Sequence, residues 1–258
     1  MSSGRWVYDE EAYPLYKESA CRFMSENLAC GKYGRTDLRY QHWRWQPHGC
    51  DLPRFDAARL LEKLRRKRLA CVGGCVQVGS FETPAAKEDE HYGVTKAVDG
   101  VRAFELALTT WADWLEFHVD RARTRLFFVT MSPTHLPSDE LGDDAGSSAS
   151  HRCYNETEPI AAAEEGPLPA WRHGPTFARA VEEQARRLGA RGVAVRLVKV
   201  TGMSERRKDA HPSVHRRQWD PITDAQARDP SSYADCIHWC LPGVPDVWNH
   251  LLYAHIVS

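Results

Sequence analysis

Apolar and polar positions along the chain fall into blocks of different period. Residues 1–53 carry many aromatics and turn formers, as in "YPLY", "GKYGRTD" and "WRWQPHGCDLP", with little periodicity, and read as a loop-rich segment that wraps the domain. Asp56 can cap a helix from Ala57 to Arg66 with Leu60, Leu61 and Leu64 on one face. "RLACVGG", residues 68–74, predicts a short buried strand ending in a glycine turn, and residues 76–98 are polar and patternless. From Asp99 to about Val119 the apolar positions Phe104, Leu108, Trp111 and Leu115 make one stripe of an amphipathic helix. "RLFFVTM", 125–131, predicts a strand, and the run from Leu136 to His151 an exposed loop. A helix over 175–188, a strand over 192–200 and a last helix from Pro245 to about His255 complete the series, with Pro245 in a first turn that tolerates it. Strands alternating with helices predict one α/β domain whose mostly parallel sheet is covered on both faces.

Composition narrows the classes. At 258 residues the chain can bury a substantial core, and a net charge of −1 supplies no field for nucleic acid or an anionic membrane. No apolar run approaches the ~20 residues of a membrane helix. The opening "MSSGRWVYDEEAYPLY" has neither a basic nor an apolar leader region, so a product made as it stands is expected to stay in the cytosol. The cysteines point the other way: there are eight, an even count that suits an oxidising compartment. Asn155-Glu156-Thr157 is also a glycosylation sequon.

The densest chemistry is "DCIHWC", 235–240, with an acid, an imidazole and two thiols in six residues. It admits three readings: a zinc knuckle of Cys236, His238 and Cys240, helped by Cys71 and Cys75; a disulfide-braced loop; or the acid and base of a catalytic triad, Asp235 holding the tautomer of His238. The triad reading needs a nucleophile at the carboxyl end of an early strand, and the turn "VGGCVQ", 72–77, is the candidate.

The stretch from "WVYDEEAYPLYKESACRFMSENLACGKYGRTD" through "LACVGGCVQ", with "FFVTMSPTH", "CYNETEPI", "SERRKDAHPSV" and "ADCIHWCLPGVPDVWNHLLY", strongly resembles the plant trichome birefringence-like family of polysaccharide O-acetyltransferases. The resemblance implies an SGNH-like three-layer α/β/α fold over residues 54–258, preceded by an N-terminal segment, 1–53, packed on the core. It implies acetyl transfer to a cell-wall glycan such as xylan, residence in the Golgi, and an acetyl donor (acetyl-CoA or another carrier) as cosubstrate; no permanently bound cofactor, no metal and no nucleic-acid partner are expected. The family's acid and base map onto Asp235 and His238. Its Gly-Asp-Ser turn maps onto Gly73, Gly74 and Cys75, so a thiol stands at the nucleophile's place and a glycine at that of the aspartate. A thiolate is a competent acyl acceptor.

The family's long segment after that turn carries an asparagine expected to bind the oxyanion. Here 76–98 is short and holds no Asn, so the chain reads as a truncated or internally deleted member. A second reading follows, a catalytically inactive relic or a glycan-binding regulatory protein. The family's pairing implies disulfides Cys30–Cys240 and Cys153–Cys236, each closing a loop for about 4–5 kcal/mol in the chain-entropy model, with Cys21 and Cys50 left without partners. Ser132, His135, Arg207, Lys208 and His211 are expected, with Gly73 and Gly74, to line the pocket or bind the oxyanion, His135 being equally open to a structural hydrogen-bonding role, and Trp43 to Trp45 to offer sugar-stacking faces or to pin a loop onto the core.

Overall fold

The computed structural model describes residues 1–71, 100–135, 153–160 and 174–258. Contacts gather these into two compact units, one drawn from residues 1–67, 131–172 and 198–258, the other from 68–130 and 173–197.

The first unit holds the dense acid–imidazole–thiol motif. Its N-terminal segment, expected to be loop-rich, contains a sheet: β1 (Gly4–Tyr8) pairs antiparallel with β2 (Trp43–Pro47). Trp6 faces Trp45 and Tyr8 faces Trp43, with ring centroids 5.6 and 5.3 Å apart, both edge-on. Such cross-strand aromatic pairs stabilise a two-stranded ribbon. Gly4 is required at its position, because a Cβ there would lie 2.5 Å from the Gln46 carbonyl. Asp56 caps α1 (Ala57–Lys63) by accepting from the Arg59 amide. The helix stops before the expected Arg66, which sits at φ 59°, and of its three leucines Leu60 and Leu64 are half-buried while Leu61 is 70% exposed.

Later in the chain come α4 (Thr201–Ser204), α5 (Asp224–Arg228) and α6 (Val244–Val257). Thr223 and Gln226 form a capping box on α5. Asp246 accepts from the Gly243 amide at the start of α6, which buries Val244, Val247, Leu251 and Tyr253. The core cluster joins both ends of the chain: Cys30 and Tyr40 pack with Ala210, Trp239, Cys240 and Val244, flanked by Trp6 and Trp248.

The second unit contains α2 (Gly100–His118), β3 (Leu126–Val129), α3 (Gly174–Ala190) and β4 (Val195–Val198), with β3 and β4 paired. The predicted stripe on α2 is the buried one: Phe104, Leu108 and Leu115 are almost fully covered. Phe104 meets Phe177 edge-on at 4.8 Å, while Ala112 and Leu115 pack with Leu188 and Val193. Gly192, at φ 82°, ends α3 in the left-handed conformation that glycine adopts without strain. The α/β class stands, with strands among the described residues arranged as two two-stranded sheets. Of the strand expected over 68–74, the described part, 68–71, is not a strand and is exposed; 72–74 lie outside the described residues.

Candidate active site

Asp235 and His238 meet within one loop turn. Asp235 Oδ1 accepts from the Ile237 and His238 amides, both at 3.0 Å, and His238 Nδ1 lies 2.7 Å from Asp235 Oδ2. The carboxylate side chain is 8% exposed, whereas the imidazole is 45% exposed. Burial works against the Asp235 charge, but the His238 contact and the two amides outweigh it and hold the carboxyl down at about 2. The same contact, acting against partial burial, raises His238 above its ordinary value. With Nδ1 committed to the carboxylate, Nε2 is the nitrogen left to act as a base.

Neighbouring segments hold this loop from several sides. Ser213 and Asp235 exchange two backbone hydrogen bonds, of 3.0 and 2.9 Å, in an isolated bridge. The Cys236 carbonyl accepts from the His135 amide, and the Cys240 amide donates to Ala210. Cys30 is bonded to Cys240 and Cys153 to Cys236, with Cα–Cα distances of 5.6 and 5.5 Å. These are the pairings the resemblance implied. They also end the zinc reading, because Cys236 and Cys240 are spent in disulfides and cannot ligate as thiolates. Cys21, Cys50 and Cys71 are free thiols.

Behind the loop, Arg35 of the N-terminal segment donates to the carbonyls of His211 and Asp209, at 2.7 and 2.6 Å, and stacks its guanidinium 4.1 Å from the Tyr40 ring. Arg207 forms a fully buried pair with Asp209 at 2.9 Å and sits 4.5 Å above the Trp6 ring.

Several residues expected at the pocket are therefore interior. His135 and His211 are each 1% exposed and Arg207 is 0% exposed, so they brace the loop rather than line an open pocket. Lys208 is turned to Glu156, 2.7 Å away, and Ser132 is half-buried on the segment leading to His135. Trp45 is 7% exposed and meets Trp6 edge-on, so it pins the segment instead of offering a sugar-stacking face, while Trp43 is half-buried against Tyr8. Gly73, Gly74 and Cys75 lie outside the described residues. One residue was missed: Arg216, whose Nε stands 3.7 Å from Asp235 Oδ2 with a quarter of its side chain exposed. Its charge opposes protonation of His238.

The PC-esterase family model, described as the GDSL/SGNH-like acyl-esterase family found in Pmr5 and Cas1p, matches residues 80–255, and that of the PMR5 N-terminal domain matches residues 1–51. Xylan O-acetyltransferase 14 of Oryza sativa subsp. japonica is 50% identical over 366 residues, an alignment that takes in 100% of this chain and 77% of that protein. The chain belongs to the PC-esterase family, in its trichome birefringence-like group. Protein trichome birefringence-like 34 of Arabidopsis thaliana is 35% identical, with 100% and 84% covered, and xylan O-acetyltransferase 13 of Oryza sativa subsp. japonica is 33% identical, with 99% and 69% covered. An aligned span of 366 residues against 258 in this chain leaves a long stretch of the rice PC-esterase without a counterpart here. The SGNH-like α/β fold of the family is thus the fold of this chain.

Proposed function

We propose that the chain is an O-acetyltransferase that acetylates a plant cell-wall polysaccharide of the xylan type in the Golgi lumen. The observation that carries this reading is the Asp235–His238 pair, 2.7 Å apart on a loop clasped by two disulfides, in a chain half identical to a xylan O-acetyltransferase. His238 Nε2 takes the proton of the nucleophile, for which Cys75 is the candidate, and the sulfur attacks the acetyl carbonyl of the donor. His238 returns the proton to the departing donor group, leaving an acetyl thioester on Cys75. A sugar hydroxyl then gives its proton to His238 and attacks the thioester, forming the acetyl ester and restoring the thiol. Asp235 stays charged throughout and stabilises the imidazolium. The donor, acetyl-CoA or another acetyl carrier, is a cosubstrate.

The test is acetyl transfer from an activated acetyl ester to xylo-oligosaccharides by the oxidised full chain, read by mass spectrometry. Transfer is expected from the unsubstituted protein, with a hydroxylamine-labile acetyl group on Cys75, and a loss of at least about a hundredfold in His238→Ala, as befits removal of a general base. An unsubstituted chain that transfers no acetyl, or a His238→Ala chain that transfers as well, overturns the proposal.

A further inference from the structure

A second pair of imidazoles lies beneath the dyad loop. His135 Nδ1 and His211 Nε2 are 2.7 Å apart, and both rings are buried. Their remaining nitrogens face backbone carbonyls, His211 Nδ1 at 2.6 Å from the His238 oxygen and His135 Nε2 at 2.8 Å from the Glu205 oxygen. A carbonyl oxygen can only accept, so each of these two nitrogens carries a hydrogen. A neutral imidazole has a single N–H, and each ring has then used its own. Two neutral rings would leave two bare lone pairs pointed at each other across 2.7 Å. Three contacts need three hydrogens.

We propose that His135 and His211 share one extra proton across their N···N contact, forming a singly charged imidazole–imidazolium unit that positions His238 through its backbone carbonyl.

The surroundings divide over that charge. The carboxylate of Asp209 favours it at His135 and that of Asp235 at His211, while Lys208 and Arg35 oppose it. The Trp239 ring centroid lies 4.1 Å from that of His211, a range at which an indole ring attracts a cation over its face. Burial pushes His135 down to about 4 and His211 well below its ordinary value, so neither ring holds a charge alone at neutral pH. Sharing spreads the charge over two rings and gives every ring nitrogen a partner. Loss of the proton as pH rises leaves two hydrogens for three contacts, so either the N···N contact or one of the carbonyls is given up. When that carbonyl is His238's, the loop loses one of the bonds that aim the catalytic imidazole. The pair is too deeply buried to touch substrate, so its role is positioning. That role rests on His238 as the base, whereas the shared proton rests on geometry alone.

The experiment is nitrogen-15 NMR of the oxidised full chain labelled at histidine, at neutral pH. Three hydrogens over the four ring nitrogens of His135 and His211 are expected, one of them far downfield; two hydrogens overturn the proposal. In His135→Asn the side-chain amide can donate to neutral His211 Nε2, so His211 is expected to keep one hydrogen and the downfield signal to vanish. A signal that persists counts against the assignment. Positioning is read from the titration of His238. His211→Phe is expected to shift its midpoint down toward that of free imidazole, and His211→Asn, which retains a donor near Nδ1, to restore it. An unmoved midpoint in folded His211→Phe removes the positioning role. Should that variant not fold, His135→Asn with its hydrogen count decides the shared proton, and His211→Asn decides positioning by keeping or losing the raised midpoint. None of these readouts needs acetyl transfer, so an inactive chain overturns the proposed function and leaves this result standing.

Discussion

Asp235 is charged although nearly all of its side chain is out of solvent, and its two backbone amides and His238 are what hold the charge there. Its carboxyl falls from 3.8 to about 2, worth about 2 kcal/mol of stability. The sign follows from which state binds protons. Asp235 contributes above its unfolded value, and the contribution fades as pH drops toward about 2. His238, raised, contributes below its ordinary value of 6.5 and loses that contribution as pH rises through its folded value. The pair therefore acts in full between about pH 4 and 6.5. Urea unfolding of Asp235→Asn is expected to show a loss of about 2 kcal/mol at pH 5 that shrinks as the pH is lowered toward 2. A loss independent of pH would mean that the carboxylate stabilises by shape alone.

At the scale of elements, the loop owes its shape to covalent and buried polar ties rather than to a helix or a strand of its own. Replacing Cys153 and Cys236 together by Ala is expected to lower stability by about 2–5 kcal/mol in thermal or urea unfolding. Replacing free, exposed Cys50 by Ala should change it by less than about 0.5 kcal/mol. The same contrast explains what could be read from the chain beforehand. Helices α2, α3 and α6 carry a 3.6-residue apolar period, and β3 is a compact apolar run, so local pattern revealed them. The β1–β2 pair did not declare itself, because Trp6 and Trp45 meet only after a long excursion of the chain and each strand is just five residues. Asp235 and His238 were legible from their spacing. Arg216 was not, since "HRRQW" sits on a loop with no periodicity to say which arginine turns inward. For the same reason His211, beside a proline on irregular backbone, reads as a pocket residue and is interior, whereas His135, open to either role from its sequence, has the structural one.

For the whole molecule, two buried disulfides suit an oxidising compartment, and Asn155 supplies a reporter of where the chain has been. It is exposed on a turn at φ 62°, a conformation asparagine tolerates, within its Asn-Glu-Thr sequon. Expressed behind a secretory leader in plant cells, the protein is expected to migrate faster after endoglycosidase treatment, and Asn155→Gln to abolish that shift. Equal migration of treated and untreated protein would count against glycan addition at this turn.

The Cys30–Cys240 clasp also sets an order of manufacture. Its two thiols are 210 residues apart. At translation rates of 5–20 residues per second, Cys30 waits roughly 10–40 s for its partner to be made. Throughout that interval it shares the emerging chain with Cys21 and Cys50, both far nearer and both unpaired in the finished protein. A premature bond to either would hold the N-terminal segment away from the dyad loop, and undoing it falls to thiol–disulfide exchange. Closing this link joins the segment of Arg35 and Tyr40 to the loop that carries His238, so a premature bond at Cys30 would delay the aiming of that imidazole.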